Sequence, residues 1–431
     1  MGTAGQGEVG TAGQGEVGTA GQGEAGTAGQ GEAGTAGQGE AGTAGQAKER
    51  AGRAVAAVLD ELVGLSHDIH AHPETNFAEE HAAAATAELL AAHGLSVTKG
   101  AGGLPTAFVA TAGSGPVTVA ICAEYDALPG VGHACGHNII AATAAGAGVA
   151  LAAVADDVGL TVRVVGTPGE EGGGGKISLL EAGVFDGAHA ALMVHPWPED
   201  RLVAECLAVS HFDIAFDGRT AHASAAPWEG ANAADAMVVA QVAIGLLRQQ
   251  LPPGDQVHGI VTSGGEAANI VPGRVTGRFM ARARSLQELE ALESRVMACF
   301  EAGATAAGVH LARTDLAPVY SHMVTDAPLL AAYRSSAEAL GRTFPADDAG
   351  VPPPTLSTDM ANVSLAMPTI HPLLGIEAGG AVNHQPAFAA ACVTPSADRA
   401  ISDGAVALAW TAIDAAADPA LRAHLLERVR N

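Results

Sequence analysis

The chain has 431 residues, 48% of them hydrophobic and 16% charged, which suits a globular protein too long for a single hydrophobic core. Its 21 basic and 46 acidic side chains give a formal net charge of −25, which argues against nucleic acid and anionic membranes as partners. Five scattered cysteines imply no disulfide framework, so a reducing cytoplasm is the expected setting.

Residues 2–46 repeat the octad Gly-Thr-Ala-Gly-Gln-Gly-Glu-Val/Ala five times and end in a partial copy. The repeat has almost nothing apolar to bury, so it cannot offset the entropy of ordering, and residues 1–46 read as disordered. No basic region is followed by an apolar core, so no secretory signal is expected. Order is expected from Ala47. Apolar residues at helical spacing run from Ala54 to Leu65. His67, His70 and His72 follow, but Pro73 breaks the segment and argues against a metal cluster there.

A helix is expected over Glu79–His93, with Gly94 as its stop. Val117–Ala123 reads as a buried strand, and Ile139–Ala155 as a buried helix too short to span a membrane. Leu160–Gly166 and Ala190–Val194 are two further strands. Strands alternating with helices imply α/β architecture around a mostly parallel sheet. Sites in such sheets lie at strand C-termini.

The pattern then changes. Strands are expected at Val209–Phe216, Val257–Thr262, Val275–Ala283 and Val309–Thr314, with helices at Asn232–Gln250 and Leu286–Ala302. That βαββαβ order is ferredoxin-like. The expected organisation is therefore a catalytic domain, 47–206 and 317–431, carrying an inserted α+β unit at 207–316.

The chemistry centres on Gly132–Asn138, where Cys135 and His137 stand two apart after an apolar run. Thiolate and imidazole are good ligands for zinc or a similar divalent ion. Downstream come Glu170-Glu171 past one strand, His195-Pro196 past another, and Asn383-His384-Gln385-Pro386. Cys135 could bridge two ions, with His137, Glu171, His195 and His384 completing the ligand set. Glu170 remains free as a general base. Gly172–Gly175 before Lys176 lacks the spacing of a phosphate loop, because Glu170 and Ile177 stand where Gly and Ser/Thr are required.

With these motifs in view, the chain resembles the aminoacylase/carboxypeptidase family of metallo-amidohydrolases from about residue 50 onward. The likeness is greatest to the subgroup of aminoacylase-1-like protein 2 and the p-aminobenzoyl-glutamate hydrolases. His70-Ala71-His72-Pro73-Glu74, Glu181-Ala182-Gly183 and Ser357-Thr358-Asp359-Met360 also carry the likeness. The resemblance implies a dipeptidase or amidohydrolase with two divalent ions in each chain, zinc or manganese, and an inserted lid through which the chain forms a homodimer. It implies hydrolysis of an amide beside a free carboxylate in a small N-acyl amino acid or dipeptide. p-Aminobenzoyl-glutamate and dipeptides with a basic C-terminal residue are the competing substrates. It further implies that Asp126 orients a ligand from behind, and that His222 helps stabilise the developing oxyanion, often across the dimer. Asn269 and Arg282 would lie near the substrate carboxylate. Glu124 stands where more distant relatives have a ligating histidine. A catalytically inactive binding homologue is the alternative from another class.

Overall fold

The computed structural model describes residues 36–345 and 352–428. Helix α1 (Ala36–Ala57) begins within the octad repeat, so order starts before the expected Ala47. The rest of the repeat, residues 2–35, lies outside the described residues. Ala47, Ala51 and Val55 are buried at a four-residue spacing, which gives α1 an apolar stripe facing the core. α2 (Leu59–Ala71) and α3 (Glu80–Ala92) follow. α3 stops at Gly94, whose φ of 89° is a left-handed conformation that favours glycine.

Strands β1 (Ser96–Lys99), β2 (Phe108–Ala112), β3 (Val117–Ala123), β4 (Leu160–Gly166) and β5 (Ala190–Leu192) lie in the order β1-β2-β4-β3-β5. β3 pairs in parallel with both β4 and β5, whereas β1 and β2 form an antiparallel edge. Every residue of β3 is buried, as a central strand covered on both faces requires. α4 (His137–Ala152) joins β3 to β4 and is buried from His137 to Leu151. Its small residues allow this. A Cβ at Gly146 would lie 2.7 Å from Leu62, and one at Gly148 would lie 2.5 Å from Val164. α5 (Gly175–Glu181) and the short β6 (His195–Trp197) complete this part.

The insertion comprises β7 (Ala208–Asp217), α6 (Ala233–Leu247), β8 (Gln256–Ser263), β9 (Arg274–Ala283), α7 (Leu286–Ala307) and β10 (His310–Asp315). Its sheet is antiparallel throughout, in the order β10-β7-β9-β8, which is the ferredoxin-like arrangement. Asn232 and Ser285 accept backbone hydrogen bonds at the starts of α6 and α7. α7 runs beyond the expected end at Ala302. Gly303 does not break it, because that glycine is where α6 and α7 touch, and a Cβ there would stand 2.3 Å from the Ala236 carbonyl. Phe212, Phe216, Phe279 and Phe300 fill a core separate from that of the larger sheet.

The chain returns through α8 (Ala327–Ala339), α9 (Met360–Ala366), β11 (Thr369–Ile370), β12 (Leu373–Gly375) and α10 (Pro395–Ala417). β11 adds to the sheet beside β5 in parallel, and β12 pairs in parallel with β6. α10 is long and apolar enough to cross a membrane, but 72% of its most apolar window is buried inside the protein.

Because α4 meets β4 and α3 at Gly148, added volume there has nowhere to go. Gly148→Val is expected to destabilise the fold by about 1–3 kcal/mol. Thermal unfolding that is unchanged or raised in this variant would show that the contact is not tight.

Candidate metal centre

The C-terminal ends of the parallel strands converge on one cleft of about 750 Å³, roofed by β7 and β9 of the insertion. β3 leads to Glu124 and Asp126, and β4 leads to Glu170 and Glu171. β6 carries His195, while His137 opens α4. Gly136 before it has φ 81°, and a Cβ there would strike Pro196 at 2.9 Å, so the Cys135 turn lies directly against the His195 strand. His384 has φ 70°, a strained conformation for a side-chain-bearing residue, and its N–H donates to the Ala134 carbonyl at 2.8 Å.

All five residues expected as ligands come together. Cys135, His137 and His195 offer donor atoms within 4.8 Å of one another, and so do Cys135, Glu171 and His384. Cys135 Sγ lies 3.4 Å from His195 Nε2 and 3.6 Å from His384 Nε2. Asp126 holds the assembly from behind. One carboxylate oxygen bonds His137 Nδ1 at 3.0 Å, which turns Nε2 toward the other donors, and the second accepts from the Glu171 N–H at 2.8 Å. Glu170 Oε2 and Glu171 Oε1 each stand 3.9 Å from His137 Nε2.

Burial decides the protonation of these groups. It raises Cys135, an effect that Glu171 reinforces, and it lowers His195. Burial raises Glu170 well above the usual carboxylate range, with Glu124 and Glu171 adding to the effect. Burial alone would lower His137, but Asp126 and Glu124 together lift it well above the ordinary imidazole value. A divalent cation reverses this arrangement by favouring thiolate, carboxylate and neutral imidazole. The residues fit such ions. Glu124 Oε2, His137 Nε2 and Glu171 Oε1 are buried with no hydrogen-bond partner among the described residues. Sulfur, nitrogen and carboxylate donors together suit zinc or its neighbours.

Several contributors have roles that the amino-acid order did not assign. Lys176 is fully buried between Glu124, at 2.5 Å, and Asp359, at 2.7 Å, and its own N–H also donates to Asp359. The residue that failed as a phosphate-loop lysine is thus the counter-charge behind the site. The glycines before it have a steric reason, since a Cβ at Gly175 would lie 1.8 Å from the Pro168 carbonyl oxygen. Tyr320 donates its hydroxyl proton to the Glu170 carbonyl at 2.6 Å and accepts from the Gly174 N–H at 2.9 Å, pinning that turn. His371 also lines the cleft.

Arg282 lies in the cleft wall and donates to Ser357 Oγ at 2.8 Å. Asn269 and His222 do not enter this cleft. They lie together on the insertion, where Ala223 N–H donates to the Asn269 carbonyl. His67, His70 and His72 bond to Asp398, the Ala389 carbonyl and Asp68 respectively.

Removing one member of a buried charge cluster strands the others. Lys176→Met, which leaves Glu124 and Asp359 facing each other, is expected to cost about 3–5 kcal/mol of stability. Unchanged thermal unfolding would contradict this account of the cluster.

Residues 120–400 match the family described as Peptidase family M20/M25/M40. The chain is 37% identical over 397 residues to the Xaa-Arg dipeptidase of Mus musculus, covering 89% of this chain and 91% of that protein. It is 32% identical over 272 residues to a p-aminobenzoyl-glutamate hydrolase chain of Escherichia coli, covering 58% and 56%. A dinuclear metal-binding peptidase of Bacillus subtilis, 22% identical, superposes with a TM-score of 0.65 over 84% of this chain and 99% of that one, a likeness of fold. On the family match and the near full-length identity, this chain belongs to peptidase family M20/M25/M40.

Proposed function

We propose that the protein hydrolyses the amide bond of a small N-acyl amino acid or dipeptide at a centre of two divalent ions, zinc or manganese. Cys135, His137, Glu171, His195 and His384 hold the ions, and Glu170 is the general base. The observation that carries this reading is the pair of three-donor groups sharing Cys135, with the raised carboxyl of Glu170 beside them. The ions supply Lewis-acid stabilisation of the substrate oxygen and acidify water. Glu170 takes the proton from the attacking water and passes it to the leaving nitrogen. Asp126 orients His137 and the Glu171 backbone, and Arg282 offers a guanidinium to the substrate carboxylate. Among the described lining residues, the only carboxylates are Glu170 and Glu171, while Arg278 and Arg282 both face the cleft. Arg278 is already paired with the Asp213 carboxylate, whereas the partners of Arg282 are the uncharged Ser357 hydroxyl, Met280 sulfur and His258 ring, which leaves its charge for a ligand carboxylate.

The relatives support a choice between substrates. A dipeptide with a basic C-terminal residue is favoured by the 37% identity with a dipeptidase named for such substrates, and p-aminobenzoyl-glutamate is the competitor. Metal-loaded protein offered both, with a panel of N-acyl amino acids, should release free amino acid. No release from any of them would mark an inactive binding homologue. Glu170→Gln should keep its metal and lose about 10²–10⁴-fold in kcat, whereas Glu171→Gln should lose metal. Full activity in both variants would overturn the roles.

The chain is proposed to act as a cytoplasmic homodimer with no membrane or nucleic-acid partner. Val238, Val242 and Leu246 are exposed on one face of α6, and Ile260 on the edge strand β8, all apolar groups on the surface of the insertion. Pairing there would bring His222 and Asn269 of one protomer toward the cleft of its partner. Val242→Asp combined with Ile260→Asp should yield a monomer in light scattering, with kcat reduced at least tenfold. A monomer of undiminished turnover would exclude the partner's contribution.

A further inference from the structure

α2 ends at Ala71 and α3 begins at Glu80, and the loop between them brings His81 back against the last turn of α2. Asp68 of that turn meets two imidazoles. Its Oδ1 lies 3.2 Å from His72 Nδ1, and its Oδ2 lies 2.6 Å from His81 Nε2. The two rings stand 4.7 Å apart between centres, and the three side chains offer donor atoms within 4.8 Å of one another. His67 and His70 take no part, because Asp398 and the Ala389 carbonyl hold them. None of the three residues lines the cleft, and both His72 and His81 are exposed.

The placement of Asp68 asks for a positive charge. The last turn of a helix is its negative end, so a carboxylate there is unfavourable and a cation is favoured. Among the described residues, no lysine or arginine pairs with Asp68, whose ionic partners are the two histidines alone. The backbone holds the group in place from the other side. Both oxygens of Glu74 accept from the start of α3, at the His81 and Ala82 N–H groups, each at 3.0 Å, which fixes where the His81 ring emerges. Two imidazoles and one carboxylate suit a transition ion, whereas calcium and magnesium take oxygen donors. Three protein donors leave the remaining position of a zinc ion to water.

We propose that Asp68, His72 and His81 form a separate surface site for a zinc-like divalent ion, outside the cleft and independent of its donors. Such an ion ties the end of α2 to the start of α3. The loop it closes lies against the Glu170-Glu171 turn, where Asn76 donates to the Glu171 carbonyl at 3.3 Å and Glu79 accepts from the Gly169 N–H at 2.9 Å. The ion therefore fastens a segment that supports the cleft without entering it. Because its donors are exposed, it exchanges with free metal and adds stability in proportion to the metal supplied.

Counting ions tests the site. Wild type, His72→Gln, His81→Gln and Cys135→Ala are each dialysed against rising zinc, and bound metal and thermal midpoint are measured at every step. Glutamine keeps an N–H donor toward Asp68 but lacks the imidazole lone pair, so both Gln variants retain the fold while losing a ligand. Wild type should take up one more ion per chain than either Gln variant. Its thermal midpoint should rise as that ion binds, and the rise should be missing from both. Cys135→Ala should lose the metal of the cleft and keep the extra ion. Equal zinc uptake by wild type and the two Gln variants would overturn the proposal. So would loss of the extra ion in Cys135→Ala, which would place it in the cleft. Turnover is not a readout here, so a protein that hydrolyses nothing yet binds the extra ion leaves the site standing.

Discussion

Negative charge in a space that water barely reaches is the constraint around which the rest of this structure is arranged. Glu124, Asp126, Glu170 and Asp359 are all buried, and the Glu171 side chain is 9% exposed beside them. At an effective dielectric of 20, two like charges about 4 Å apart repel by about 4 kcal/mol. Lys176 answers two of these carboxylates directly, and its ammonium is held well above its ordinary value because Asp359 and Glu124 outweigh the cost of burial. His137 answers Asp126. The excess faces the opening, where sulfur and imidazole donors stand ready to share a cation. Burial raises Glu170 well above the usual carboxylate range, and the neighbouring Glu124 and Glu171 add to the effect.

The backbone bears the cost of this crowding. Gly136 and His384 both take left-handed conformations, one to bring the Cys135 turn against Pro196, the other to aim an imidazole from an otherwise exposed loop. Tyr320, just beyond the inserted unit, anchors the Glu170 turn through the neighbouring Gly174. Ser357 joins Arg282 of the insertion to the segment that ends in Asp359, so a chain of contacts runs from the roof of the cleft to the charge cluster at its floor.

Much of this was legible in the amino-acid order. β3 and β4 occupy the residues expected of them, because both are rich in β-branched residues, with Val117–Ala123 buried throughout and Leu160–Gly166 interrupted only by Arg163. The five expected ligands meet because each follows a strand whose C-terminal end faces the same way. What stayed hidden depended on packing between distant segments. Lys176 and Asp359 are 183 residues apart, and nothing local in either announces a buried ion pair. His371 was silent because, unlike His195, it follows a two-residue strand that the amino-acid order did not announce. α7 outran its expected end at Ala302, because Gly303 sits in the contact with α6, which only the fold reveals. His222 and Asn269 matched family motifs yet lie outside the lining of the cleft.

The alanine- and glycine-rich interior has a further consequence for how this protein can change. Alanine loses almost no rotamer freedom on burial, so α4 and α10 pack at little entropic cost, but each residue buries little area and cohesion is spread over many small contacts. At their alanine positions truncation removes only one methyl, whereas the buried Ile139, Leu151, Ile401 and Ile413 of the same helices would leave cavities. This interior is vulnerable to enlargement at almost every position. Exchange of large side chains is easier in the inserted unit and at the cleft-wall positions that hold no ligand, while the small-residue positions of α4 and α10 resist enlargement. New substrate preferences can therefore arise on a scaffold that itself scarcely drifts.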